Sequence, residues 1–296
     1  MRRLVLKSNL CFGDHCVMEM SLHSLHLQFP KEYITAVDIG QKDLFNNHPF
    51  ISKSITGDVI EMHYNLVHKS NQIANSFADG YVNHLAEALD IPLKLQVNRP
   101  HLYLNETEKK KYKEFGKYWI IICGGKVDYT TKHLPQAHLQ SVVDHYIGQL
   151  RFVQPVKREH LHNPLKNVRM VSNLNNRDMM SLVFNSSGII CPVTSWQHLA
   201  GAFEKPCVCI GGGREPISWV MQYPYQHYLH TMGSLKCSQK ACWKSRVIKL
   251  NDNAKSDGSL CEQPVFYGEQ WIPRCLSLIK PSTIIDTIDR ISTSRE

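Results

Sequence analysis

Short apolar runs of strand length alternate with longer stretches of helical periodicity from Arg3 to Ile210, and this alternation narrows the fold more than any other feature of the chain. Arg3 to Lys7 has the pattern of a buried strand, and the loop Ser8 to Asp14 leads into a helix with Leu22, Leu25 and Phe29 in phase. Strands are expected at Tyr33 to Val37 and Val59 to Met62. A long helix is predicted over Ser70 to Leu89, where Ile73, Phe77, Val82, Leu85 and Leu89 recur at helical spacing. After a charged stretch from Pro100 to Lys117 the pattern restarts with a strand at Tyr118 to Cys123 and a helix at Gln136 to Leu150. Strands at Arg151 to Val153 and Val168 to Met170, a helix at Asn176 to Asn185, a strand at Gly188 to Cys191, a helix at Trp196 to Phe203 and a strand at Cys207 to Ile210 complete it.

Strands alternating with helices build parallel sheets covered on both faces, and 296 residues suffice for two such cores. The expected organisation is an α/β, GT-B-like pair of Rossmann-like domains facing a cleft, over residues 1–105 and 117–230. A Cys-rich segment over 231–280 and a C-terminal helix over 281–296 follow.

The net charge of +8 favours anionic partners such as nucleotides, phosphoglycans or acidic membrane surfaces. The basic residues are scattered, however. The run Lys109 to Lys111 lies among Glu106, Glu108 and Glu114, as in a mixed-charge helix or linker, so no nucleic-acid partner is expected. No apolar run is long enough to span a bilayer, and Met1 to Lys7 has no apolar core of a secretory signal, which points to a cytoplasmic address. In that compartment the ten cysteines are thiols or metal ligands. Cys11, Cys16, Cys123, Cys191, Cys207 and Cys209 sit in or beside apolar runs and are expected to be buried.

Three loops carry chemistry. Gly13-Asp14 follows the first strand, where open α/β sheets place their ligands, and a carboxylate there can take the proton of an attacking hydroxyl or simply cap the following helix. Pro192-Val193-Thr194-Ser195 joins a strand to a helix bearing His198, an arrangement suited to a diphosphate or to an ordinary hydroxyl cap. Gly211-Gly212-Gly213-Arg214 permits close backbone approach and offers a guanidinium to phosphate. No GxGxxG or P-loop pattern accompanies it, which disfavours dinucleotide enzymes and P-loop ATPases.

Together these stretches resemble glycosyltransferase family 9, the ADP-heptose:lipopolysaccharide heptosyltransferases, over most of residues 3 to 220. Gly13-Asp14 with Leu22 to His26 and Phe29-Pro30 is similar to the family's first loop and helix. Lys126 to Pro135, including Thr130-Thr131-Lys132-His133-Leu134-Pro135, is similar to its TT-K-W-P segment. Thr194-Ser195 and His198-Leu199-Ala200-Gly201-Ala202, continued by Lys205 to Gly212, resemble the donor signature D-[ST]-G-x-x-H-L-A-x-A. The resemblance implies inverting transfer of a heptose or related sugar, with Asp14 as catalytic base and Lys132 neutralising donor phosphate. Thr194, Ser195 and His198 would line the diphosphate site, and Lys126, Thr130, Thr131, Gly212 and Arg214 would join them in binding an ADP-heptose-like donor. The acceptor would be a glycan, lipid-linked or protein hydroxyl, met in the bacterial cytoplasm with peripheral contact to the inner face of the membrane. Departures are plain: Pro192 or Val193 stands where the signature has Asp, Trp196 replaces its Gly, and Leu134 replaces the Trp of W-P.

Cys237-x4-Cys242, then eighteen residues to Cys261 and thirteen to Cys275, supplies four thiolates, enough for one tetrahedral structural site for zinc or iron. Otherwise they are four reduced thiols in a loop-rich tail, or two of them pair as a disulfide during handling. The polar stretch Asn251 to Gly258 buries no core, so a metal is expected to help fix it. The segment is similar to the cysteine-rich insertion of bacterial autotransporter heptosyltransferases, in which four Cys hold an iron. Two other functions remain open on the same scaffold: a nucleotide-sugar epimerase, which needs no acceptor, and a non-catalytic metal-containing binding protein. The oligomeric state is not legible.

Overall fold

In the computed structural model, which describes residues 1–156 and 164–293, the apolar runs form two parallel sheets. The first is built from β1 (Arg2–Ser8), α1 (Phe12–Gln28), β2 (Tyr33–Ile39) and β3 (Asp58–Glu61), with α2 (Phe77–Leu89) behind it and strand order β2-β1-β3. The chain leaves β1 to one side for β2 and returns to the other for β3, which puts a topological switch point at the carboxyl end of β1. Every residue of α1 from His15 to Leu25 is buried, because the helix lies between its own sheet and the helix Ser195–Ala202 of the second half. A helix buried all round needs no amphipathic stripe.

The connecting stretch carries α3 (Glu106–Lys110), and it is tied down. Arg177 donates to Glu108 through Nε at 2.8 Å, to the Tyr103 carbonyl at 2.7 Å and to the Asp43 carbonyl at 3.2 Å. The second sheet comprises β4 (Trp119–Ile121), β5 (Phe152–Val156), β6 (Arg169–Ser172), β7 (Gly188–Pro192), β8 (Cys207–Gly212) and β9 (Gln226–His230) in the order β6-β5-β4-β7-β8-β9, all parallel. That is the doubly wound dinucleotide-fold order, with its switch point between β4 and β7. Side-chain alternation feeds two cores. Ile120, Ile189, Cys191 and Cys209 face the first half with α5 (Asn176–Asn185) and α6 (Ser195–Ala202). Ile121, Ile190, Val208 and Ile210 face α4 (Gln136–His145) and α9 (Pro281–Thr293). Between these lie α7 (Ile217–Val220), the hairpin β10 (Pro264–Tyr267) with β11 (Gln270–Pro273), and α8 (Arg274–Ser277). Residues 294–296 of the expected C-terminal helix lie outside the described residues.

The structure corrects several expectations. The helix predicted from Ser70 begins at Phe77, because Ser76 and Asp79 cap each other: the Asp79 carboxylate accepts the Ser76 N–H at 2.7 Å and Ser76 Oγ accepts the Asp79 N–H at 3.1 Å. The helix expected to reach Leu150 stops at His145, and Gly148 turns with φ +80°. Cys11 is exposed, while the other five cysteines of the apolar runs are buried. No helix among the described residues is long and apolar enough to cross a membrane.

Candidate active site

The N-termini of α1 and α6 meet where the two switch points face each other. Contact is close enough that a Cβ on Gly13 would stand 3.2 Å from both Ser195 Cα and His198 Cδ2. Asp14 occupies the third position of α1, and its carboxylate accepts the Cys11 N–H at 2.8 Å, so the residue does cap the helix. Capping uses one oxygen of a group that is only half-buried by area, yet hemmed in by protein. Burial raises its pKa, opposed by the Cys11 N–H and by the charges of Lys132 and Lys126. Lys126 reaches across from the second domain, its Nζ donating to Cys11 Sγ at 2.9 Å.

Lys132 ends a helical turn over Val127–Lys132 that follows β4. Its Nζ donates to the Val193 carbonyl at 3.0 Å and pairs with Glu215 Oε1 at 2.9 Å. Burial lowers its pKa and the Glu215 carboxylate works against that. Thr194 is the N-cap residue of α6, but its hydroxyl donates to the Pro192 carbonyl at 3.2 Å, and no side chain caps the helix. The Gln197 N–H donates to the Thr194 carbonyl at 3.2 Å, so the first turn of α6 presents the Ser195 and Trp196 N–H groups, which no side chain caps, and the positive end of its dipole beside Lys132. His198 is buried and shares a hydrogen bond of 2.5 Å with the Tyr223 hydroxyl. Burial, with Lys132 adding to it, drops its pKa to about 3, so the ring is neutral.

The remaining expected donor residues face elsewhere. Thr130 Oγ1 accepts the Val247 N–H at 2.9 Å, and Thr131 Oγ1 donates within 2.8 Å of the Lys244 and Ser245 carbonyls. Arg214 Nε donates to the Lys244 carbonyl at 2.7 Å, its guanidinium pairs with Glu215, and it lies over the rings of Tyr129 and Trp243. Gly212, at φ +60°, has Cys275 Sγ 2.9 Å from where a Cβ would stand, and at Gly213 the Ser238 Cβ would be 2.4 Å away. The glycines open space for the cysteine segment, not for a ligand. Sequence reasoning missed Glu215, a buried carboxylate that joins Lys132 to Arg214 and leaves Oε2 without a partner. Its signal was slight: a lone Glu before Pro in a glycine loop.

Cys237, Cys242, Cys261 and Cys275 line one cavity of about 20 Å³, roughly the room one small ion needs. Backbone N–H groups point at three of the sulfurs: Lys244 at Cys242, Gln263 at Cys261, and Gly213 with Leu276 at Cys275. Such donors favour thiolate, whereas burial favours thiol and pushes Cys261 up to about 11. Among the described residues no three of these sulfurs all lie within 4.8 Å of one another, so they would draw inward around an ion. The polar stretch Asn251 to Gly258, between Cys242 and Cys261, has a tie of its own as well: fully buried Arg246 pairs with Asp252 at 2.6 Å, Asp257 at 2.5 Å and Asp128 at 3.2 Å.

No protein-family model and no curated protein sequence matches the chain. Solved structures do. A glycosyl transferase family 9 protein from Veillonella parvula aligns at a TM-score of 0.70 and 15% identity, covering 98% of this chain and 97% of that one. The ADP-heptose lipopolysaccharide heptosyltransferase II of E. coli aligns at 0.63 and 14% over 100% and 99%. TibC, an iron-containing dodecameric glycosyltransferase of enterotoxigenic E. coli, aligns at 0.63 and 14%, covering 100% of this chain and 77% of that one. The chain thus has the two-domain GT-B-like fold of these transferases.

Proposed function

We propose that the chain is an inverting glycosyltransferase of the family 9 type, taking a heptose or related sugar from a nucleoside diphosphate donor to a hydroxyl acceptor. The observation that carries this reading is the meeting of Asp14, its pKa raised by burial, with the uncapped N-terminus of α6 beside Lys126 and Lys132. The fold, shared with a transferase that uses ADP-heptose, favours that donor.

In this reading the donor diphosphate lies against Ser195 and the first turn of α6, where free N–H groups, the helix dipole and the lysines balance the charge of the departing nucleotide. Lys132 is already held by Glu215 and the Val193 carbonyl, so it meets the phosphate with little loss of side-chain freedom. Glu215, buried behind Lys132, favours the charged form of that ammonium and holds it toward the phosphate. Thr130, Thr131, Gly212 and Arg214 act indirectly, by seating the cysteine segment against this loop. Neutral His198 braces α6 through Tyr223. Asp14 takes the proton of an acceptor hydroxyl as it attacks the anomeric carbon from the face opposite the diphosphate, which inverts the centre.

The four cysteines fit a structural zinc or iron, which would cross-link Cys237 to Cys275 and add folding free energy. No catalytic step passes through it. The acceptor would be a glycan, lipid-linked or protein hydroxyl met in the bacterial cytoplasm.

The test is a melting-temperature screen against a panel of nucleotide sugars, since a ligand of the folded state stabilises by mass action. ADP-heptose is expected to raise the midpoint selectively. A rise with another sugar nucleotide reassigns the donor, and no rise with any of them contradicts the reading.

A further inference from the structure

Glu19 lies near the middle of α1, fully buried, and its ion-pairing partners among the described residues are all histidines. Its Oε1 is 2.9 Å from His23 Nδ1 and 2.8 Å from His48 Nε2, and its Oε2 accepts the His101 N–H at 2.7 Å. A carboxylate taken out of water needs a compensating positive charge. His48 does not supply it. The Phe50 N–H donates to His48 Nδ1 at 3.2 Å, which requires a lone pair there and leaves the single ring proton on Nε2, so His48 is a neutral donor. Arg99 is committed elsewhere, to the Ala202 carbonyl and Glu204.

The charge can come from His23, which touches Oε1, or from a bound cation, and His101 marks the place for the cation. Its Nδ1 is buried without a hydrogen-bond partner and faces Glu19 Oε2 at 4.0 Å, too far for a hydrogen bond. Metal bonds of roughly 2.0 to 2.2 Å to nitrogen and oxygen let one ion touch both atoms. One ligand atom from each of Glu19, His23 and His101 lies within 4.8 Å of the others. Glu19 and His23 stand four apart on one face of α1, a spacing that presents two ligands together. Half-buried His101 leaves a path from solvent.

We propose that Glu19, His23 and His101 bind a divalent transition-metal ion of the zinc class, in a nitrogen and oxygen site separate from the four cysteines. His48 orients the Glu19 carboxylate from outside the coordination sphere. The ion staples α1, which carries Asp14 one and a half turns earlier, to the segment whose Tyr103 carbonyl Arg177 grips from the second domain. Its role is to position α1.

The experiment strips the full-length protein with a chelator and titrates it with cobalt(II), with zinc(II) as competitor. The expected result is one equivalent with visible d–d bands and no thiolate charge-transfer absorption, whatever the cysteines bind. His101→Ala should abolish that equivalent with circular dichroism unchanged, and His48→Ala should weaken it about 10- to 100-fold. A wild-type spectrum made of thiolate bands alone, or one unchanged by His101→Ala, overturns the proposal. The wild-type spectrum decides even where a variant fails to fold.

Discussion

The loops after β7 and β8 leave neighbouring parallel strands of one sheet, and both have the composition of a phosphate-binding turn, yet they do opposite things. The turn at Thr194 and Ser195 commits the Thr194 hydroxyl to the Pro192 carbonyl but leaves the start of its helix without a side-chain cap, and it meets the other domain at Gly13. The turn at Gly212 to Arg214 is spent completely, its glycines filled by Cys275, Leu276 and Ser238 and its arginine bound to Lys244 and Glu215. A glycine loop at the end of a strand marks close approach; what approaches can be the protein itself.

That contrast can be broken in several ways. The largest effect should come from acid. His198 is neutral when folded, with a pKa near 3, but takes up a proton at its ordinary 6.5 when unfolded. Protonation therefore favours the unfolded state, and stability falls as pH drops from 6.5 towards 3, by up to about 1.4 kcal/mol per unit. Urea melts across that range should show His198→Gln losing stability less steeply than the parent. Lys132→Ala should cost roughly 1.5 to 3 kcal/mol of donor binding, about ten- to a hundredfold in Kd by calorimetry. Gly213→Ala tests the filled loop: forcing a Cβ against Ser238 should destabilise the fold by about 1 to 3 kcal/mol in thermal melts, while the folded fraction keeps its donor affinity. Smallest is Thr194→Ala, expected within about 0.5 kcal/mol of parental stability but with a raised donor KM. If Gly213→Ala impaired the donor and Thr194→Ala only the fold, the roles of the two loops would be reversed.

Much of the fold was legible because buried parallel strands are short apolar runs; the helix from Asn176 to Asn185 and the strands from β1 to β8 follow from hydrophobic pattern alone. The α2 boundary was misplaced because Ile73 falls in helical phase, although Ser76 and Asp79 carried the start signal. The β10–β11 hairpin was overlooked despite Gly268, which turns at φ +63°. Asp14 and Lys132 stood out because they flank strand ends. The part that was not legible is long-range: Glu215 between two cations, and Arg246 gathering Asp128, Asp252 and Asp257, depend on contacts that no local spacing encodes.

The most direct measurement is the pH dependence of ADP-heptose consumption with a panel of hydroxyl acceptors, for the wild type and Asp14→Asn. The wild type should invert the anomeric centre and lose kcat/KM as pH falls through an Asp14 pKa above the ordinary 3.8. Asp14→Asn should lower kcat by roughly 10²- to 10⁴-fold while the donor-induced melting shift persists. An Asp14→Asn protein that turns over at the wild-type rate would contradict the account.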